Sequence, residues 1–307
     1  MRLRPSTSAD LAQLLACEVH APISWADPAR LRAFLTDGHY RHDRIWIAEE
    51  GGTILARAVW WGRPGDDVPQ ALDCLYLHPS ASGQMRLAVD LLTQAHRSFG
   101  ARPPYHVFLP TDWKNQPLVT SALTWRQDAL TRAGLPAMLE RLRFRWTSDA
   151  GVPDPSPRLT FRATADDEAF VEALRRIAQG SLDHETRQAL ATTDPDTQAR
   201  DDLAFYRNMP GQRDWWRLAY TPDGRLVGLA IPSANHSGPV VGYLGVVPEQ
   251  RGHGYAIDLL NELTRIHARH GARHIDADTD ADNTPMADAF RRAGYTNFAI
   301  RMVHSAS

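Results

Sequence analysis

"VVPEQRGHGYAIDLL", residues 246–260, joins an apolar run to a helical pattern through one arginine and two glycines. Just upstream, "VVGYLGVV" (240–247) is short, apolar and rich in β-branched residues, which predicts a largely buried strand. Pro248 ends its pairing. Downstream, Leu259, Leu260, Leu263 and Ile266 follow helical spacing, and Gly271 stands where a C-terminal cap belongs. The glycines therefore open a helix, whose unsatisfied N–H groups and positive dipole end suit an anion. With no Cβ at Gly252 or Gly254 a bulky anion can reach those amides, and Arg251 is expected to add a charged donor. Two readings stay open here: a pyrophosphate cradle, or a plain tight turn between strand and helix. A dinucleotide fingerprint fails, because Ile257 occupies the place of its third glycine or alanine.

The same plan occurs twice. "RLRPSTSADLAQLL" from Arg2 parallels "RLTFRATADDEAFVEAL" from Arg158, each a short strand followed by a Thr and Asp suited to a helix start: Thr7 with Asp10, Thr164 with Asp167. "IWIAEEGGTILARAVWW" (45–61) and "WWRLAYTPDGRLVGLAIP" (215–232) both read as hairpins around a Gly-containing turn. The stretch 76–102 parallels 245–273, and "DALTRAGL" (128–135) parallels "DAFRRAGY" (288–295). The proline-rich "TSDAGVPDPSPR" (147–158) reads as the connection, so domains 1–151 and 152–307 are expected. Each half reads as mixed α/β, with helices on a sheet. The tryptophan pairs Trp60–Trp61 and Trp215–Trp216 are expected in packing.

Composition removes several functions. Of 307 residues 43% are hydrophobic, and the formal net charge of -2 recommends neither nucleic acid nor an anionic membrane as partner. Lys114, the single lysine, precedes Asn115, so no Walker A loop exists. Cys17 and Cys74 lack metal or disulfide spacing and read as buried hydrophobes in a reducing compartment. With no signal-peptide pattern and no spanning apolar run, a cytoplasmic location is expected. Asp276, Asp278 and Asp280 share one face of a strand by the period of two, where mutual repulsion is expected to raise a carboxyl pKa and to attract a cationic amine. Asp278 and Asp280 are the candidate bases. A calcium loop from Asp276 fails at Ala281 and Ala287, so no metal is expected. His267, His270 and His274 are expected to be solvated.

Arg251-Gly252-His253-Gly254-Tyr255-Ala256, after a strand ending Val-Val-Pro, resembles the Arg/Gln-x-x-Gly-x-Gly/Ala loop of the GCN5-related N-acetyltransferase (GNAT) superfamily. "DTDADNTPMADAFRRAGY" (278–295) resembles that family's later strand, Asn and helix. The resemblance covers about 160–303 and extends in weaker form to the first half. It implies two tandem acyl-coenzyme A N-acyltransferase-like domains, each with a mixed, mostly antiparallel sheet flanked by helices.

The resemblance also implies acetyl-coenzyme A as acyl donor, its pyrophosphate on the amides of 251–256, and its pantetheine arm beside the strand ending at Val246 and Val247. One of those two residues is the implied oxyanion donor. Asn283 is implied to help hold the arm. Phe290, counted with the coenzyme-contacting positions, stands where many members carry a tyrosine acid, which leaves two alternatives open: Tyr255, Tyr295 or water protonates the thiolate, or this copy has lost catalytic efficiency. In the first half the matching loop, Ser80 to Met85, has one glycine and no leading arginine, so that copy is expected to be degenerate. Acetyl transfer to a primary amine of a small molecule is the activity implied. A non-catalytic acyl-coenzyme A binding module and a protein amine acetyltransferase are the alternatives, and monomer and homodimer stay open.

Overall fold

The computed structural model describes residues 1–17, 23, 26–235 and 237–306. Packing divides the chain into two units, Met1–Glu140 with Ala299–Ser307, and Arg141–Phe298.

The first unit runs β1 (Arg2–Pro5), α1 (Leu11–Ala16), α2 (Pro28–Thr36), β2 (Ile45–Glu50), β3 (Thr53–Trp61), β4 (Ala71–Leu77), α3 (Gln84–Phe99), β5 (Tyr105–Leu109) and α4 (Pro117–Arg132). Gly51 and Gly52 both have positive φ (57° and 80°), the backbone that a two-residue turn between β2 and β3 demands. The sheet order is β1-β2-β3-β4-β5, antiparallel except for β4 and β5, which meet in parallel at Leu72 and Tyr105. Residues 299–305, the end of the last strand of the chain, complete it antiparallel to β5, with Ile300 opposite Leu109. Thr7 and Asp10 meet as expected, Thr7 N donating to Asp10 Oδ2 at 2.7 Å. Trp60 is buried edge-on against Phe99, ring centroids 5.1 Å apart. Cys74 is buried, whereas Cys17 is half-buried.

The second unit takes residues 141–147 of β6 (Ala137–Thr147), then β7 (Thr160–Arg162), α5 (Asp167–Ala178), α6 (His184–Leu190), α7 (Pro195–Asn208), β8 (Arg217–Tyr220), β9 (Leu226–Asn235), β10 (Gly238–Val246), α8 (Tyr255–Arg269), β11 (His274–Asp280) and α9 (Thr284–Arg292); β12 (Thr296–Ser305) starts in it. Its sheet order is β6-β11-β10-β9-β8-β7, again with one parallel neighbour pair, β10 and β11. So each unit's sheet ends on a strand that the linear halves 1–151 and 152–307 assign to the other half. Duplication is a property of the sequence; the units are a property of packing.

Leu259, Leu260, Leu263 and Ile266 turn the inner face of α8 into the core, each at most 2% exposed, and such burial stabilises by about 2 kcal/mol per side chain. Gly271 takes φ 83° just past the helix, as its position predicts. His267 corrects the expectation of solvation. It lies on the same buried face, 2% exposed, with Nε2 3.1 Å from the Val240 carbonyl. His270 is exposed. The helix start expected at Thr164 also moves: Asp166 caps α5, accepting from the amides of Glu168 and Ala169, while Thr164 Oγ1 accepts from Asp166 N. Trp216 packs on Phe170 at 5.3 Å. Among the described residues no helix is long and apolar enough to cross a membrane, and no group of three or more His, Cys, Asp or Glu could hold a metal ion.

Candidate active site

A cavity of about 1100 Å³ opens in the second unit between β10, the start of α8, β11, α9 and the α5 to α7 segment. It exists because β10 and β11 share only the register Val240 to Asp276 before they part. A bulge between Val241 and Tyr243 bends β10 at Gly242, where a Cβ would stand 2.7 Å from the Ile231 carbonyl oxygen. Past the bulge, Val247 N donates to Val227 O at 2.9 Å. By the alternation of an antiparallel ladder, the amides of Leu244 and Val246 then face away from β9, into the opening. Of the two implied oxyanion donors, Val247 has therefore spent its N–H on β9, and Val246 has not.

The loop that follows has the expected geometry. Gly252 and Gly254 hold φ 81° and 76°, and a Cβ on either would meet only open space. Gly254 is the N-cap of α8. Among the described residues the amides of Gly252, His253 and Gly254 donate to no backbone carbonyl, while Tyr255 and Ala256 are the first helical residues, whose N–H groups have no intrahelical acceptor. A pyrophosphate fits that row of free donors.

Arg251 does a different job from the one its charge suggests. It donates through Nε to Val246 O (3.1 Å), through Nη1 to Gly180 O (3.1 Å) and through Nη2 to Ile177 O (2.7 Å), so it ties the loop to the C-terminal end of α5. On the other side Arg158 donates to His253 O at 3.0 Å and pairs with the buried Asp258 in the first turn of α8. His253 contributes no wall to the cavity.

The three aspartates of β11 stand in register with three arginines of β6: Asp276 with Arg145, Asp278 with Arg143, Asp280 with Arg141. Arg145 is bidentate on Asp276 (2.6 and 2.7 Å), and Arg143 Nε reaches Asp278 at 3.1 Å. Arg141 Nε lies 3.0 Å from Asp280 Oδ1, whose other oxygen accepts from His184 N at 2.6 Å. The repulsion expected among the carboxylates is thus met by a cation on each. Asp278 lines the cavity; Asp280 is 1% exposed and does not. Burial, opposed by the His184 amide and Arg141, raises the Asp280 carboxyl above its usual range. Asp280→Ala is expected to lower the unfolding free energy by about 3 kcal/mol, the usual cost of breaking a buried pair. Urea titration checks it.

Asn283 caps α9, its side-chain oxygen accepting from Met286 N at 3.4 Å, and it lines the cavity. Phe290 is both wall and core, stacked on Phe144 at 5.0 Å. Tyr295 cannot serve the cavity, since its hydroxyl is buried against Thr264 Oγ1 at 2.7 Å. Tyr255 does line it. Three further residues of the cavity, Asp202, Tyr206 and Tyr243, escaped the sequence reading; their only signal was the one-turn spacing of Asp202 and Tyr206.

Residues 181–295, which hold nearly all of these elements, match the model of the acetyltransferase (GNAT) family. That match lies wholly within the second unit. GNAT structures also share the fold. A GCN5-related N-acetyltransferase from Sphaerobacter thermophilus aligns with 99% of this chain and 94% of its own at TM-score 0.60 and 19% identity. A tandem GNAT protein from the clavulanic acid biosynthesis pathway aligns over 100% and 98% at TM-score 0.50 and 15% identity. In sequence, mycothiol acetyltransferase from Arthrobacter sp. (strain FB24) is 28% identical over 188 residues, 56% of this chain and 54% of that protein. The chain thus matches about half the length of that relative. GNAT acetyltransferases use acetyl-coenzyme A.

Proposed function

We propose that the second unit binds acetyl-coenzyme A and transfers its acetyl group to a primary amine of a small molecule. The observation that carries this reading is one cavity bounded by two sets of free backbone donors: the amides of 252–256 for the pyrophosphate, and the parted edge of β10 at Leu244 and Val246 for the amide-bearing arm. In this reading Val246 N–H donates to the carbonyl oxygen as it gains charge, and Asn283 steadies the arm. Asp278, on the cavity wall, is the better placed of the two candidate bases, through water. The relative named for mycothiol acetylation supports acetyl transfer.

The first unit is read as a copy that binds no coenzyme. Gly83, with φ 62°, caps α3 as Gly254 caps α8, but a second glycine and an arginine are missing. Titration of acetyl-coenzyme A by calorimetry is therefore expected to give one site per chain, and an amine screen by thiol release is expected to give turnover. No binding overturns the coenzyme reading. Tight binding with no turnover of any small amine or lysine peptide favours a binding module, the reading for which Phe290 speaks.

A further inference from the structure

Helix α7 buries Ala199 and Leu203 in the core and turns Asp202 and Tyr206 to the cavity. The two are one helical turn apart, so their side chains are neighbours. The Tyr206 ring lies 5.4 Å from that of Tyr243 on β10. Of the other carboxylates around this cavity, Asp183 and Glu185 share Arg141, Asp278 has Arg143 and Asp288 has Arg291, while Asp201 has no ion pair among the described residues but is exposed to water where Asp202 is half-buried. Asp202 differs. It accepts a hydrogen bond from Gln198 Nε2 at 2.8 Å, and among the described residues no Arg, Lys or His pairs with it.

Burial, then the charges of Asp183 and Asp201, raise its carboxyl above the ordinary range. An incompletely solvated anion without a counter-ion costs free energy that a bound cation offsets. The faces of tyrosine rings attract the same kind of guest, and the hydroxyls of Tyr206 and Tyr243 make no hydrogen bond among the described residues. Beside them Phe205 (53% exposed) and Leu182 (47% exposed) give the cavity an apolar rim that the core does not use.

We propose that Asp202, with Tyr206 and Tyr243, forms the seat of the acceptor's ammonium group, and that the acceptor is a primary amine carried on an apolar or aromatic body. The inference rests on the acetyl-transfer reading for the word "acceptor", but the seat can be tested without coenzyme. Three features choose the guest: the carboxylate selects a cation over a neutral group, the ring faces add attraction for that positive charge, and Phe205 with Leu182 select an apolar remainder.

The test is calorimetric titration of the protein alone with 2-phenylethylamine, a cation at neutral pH, and with 2-phenylethanol, its neutral isostere. The amine is expected to bind at least tenfold more tightly than the alcohol. Asp202→Asn keeps the shape and a partner for Gln198, and is expected to cost the amine at least tenfold while leaving the alcohol unchanged. Asp202→Glu, which keeps the charge, is expected to retain most of the amine affinity, so a folding defect in one variant does not decide the matter. Equal amine affinity in wild type and Asp202→Asn, or no amine binding to the wild type, overturns the seat. Acetyl-coenzyme A titration of the same samples judges the coenzyme reading separately, since Asp202 is not part of the loop 251–256.

Discussion

Gly254→Trp is expected to weaken acetyl-coenzyme A binding by at least a hundredfold while leaving the fold standing. Two effects act together. A residue with a Cβ held at φ 76° pays about 1 to 2 kcal/mol for the left-handed conformation, and an indole placed on that Cβ fills the open space in front of the amides of 252–256. A hundredfold loss corresponds to about 2.8 kcal/mol, which strain and displaced donors readily supply. Because a Cβ at 254 meets no protein atom within 4 Å, the core is not overpacked, and the melting temperature should fall by only a few degrees. Calorimetry and thermal unfolding on the same sample separate the outcomes. Wild-type affinity in Gly254→Trp would mean that the loop is a turn and nothing more.

Acid is the second large lever. His96, His267 and His304 are 5%, 2% and 2% exposed, and burial pushes each imidazole down to about 4. In the unfolded chain the same rings take up a proton near pH 6.5. Between about pH 6.5 and 4 the unfolded state therefore binds more protons than the folded one. Stability is whole above pH 6.5 and is lost as the pH falls through that window. Each ring contributes at most roughly 3 kcal/mol, with His96 and His304 acting on the first unit and His267 on the second. Asp73 and Asp280, whose carboxyls burial raises, act in the opposite sense near the bottom of the window. Urea unfolding at pH 7 and at pH 4.5 is expected to show a large drop, made smaller in His267→Gln, which can keep a donor for the Val240 carbonyl. Equal stability at the two pH values would show that the buried rings are not held neutral.

Local pattern carried much of this molecule into view. The doubled glycine of the first hairpin, the apolar spacing of α8 and the loop at 251–256 are features in which neighbouring residues suffice, because turn backbone and helix face are set within a few positions. The misses are tertiary. Asp166 outcompeted Thr164 as the cap of α5, a choice between side chains two positions apart that spacing does not decide. His267 looked polar, yet α8 turns it inward where the Val240 carbonyl meets it. Arg141, Arg143 and Arg145 alternate along β6 as Asp276, Asp278 and Asp280 do along β11, and both alternations are plain in the sequence; what the sequence did not disclose was that the two strands are partners. Asp202 and Tyr243 are likewise brought together by the bulged course of β10 and by no spacing along the chain.

That partnership bears on how such a protein can be inherited. The repeat in the sequence invites a cut near 152, but a polypeptide starting there would carry three aspartates on β11 with no arginine strand to face them, and one ending there would leave β5 without its antiparallel neighbour 299–305. Each product would expose a raw strand edge, a hazard for aggregation. A cut at the seam would thus leave each piece in want of a new strand neighbour, so the hydrogen-bonding pattern itself favours keeping the two copies on one continuous chain.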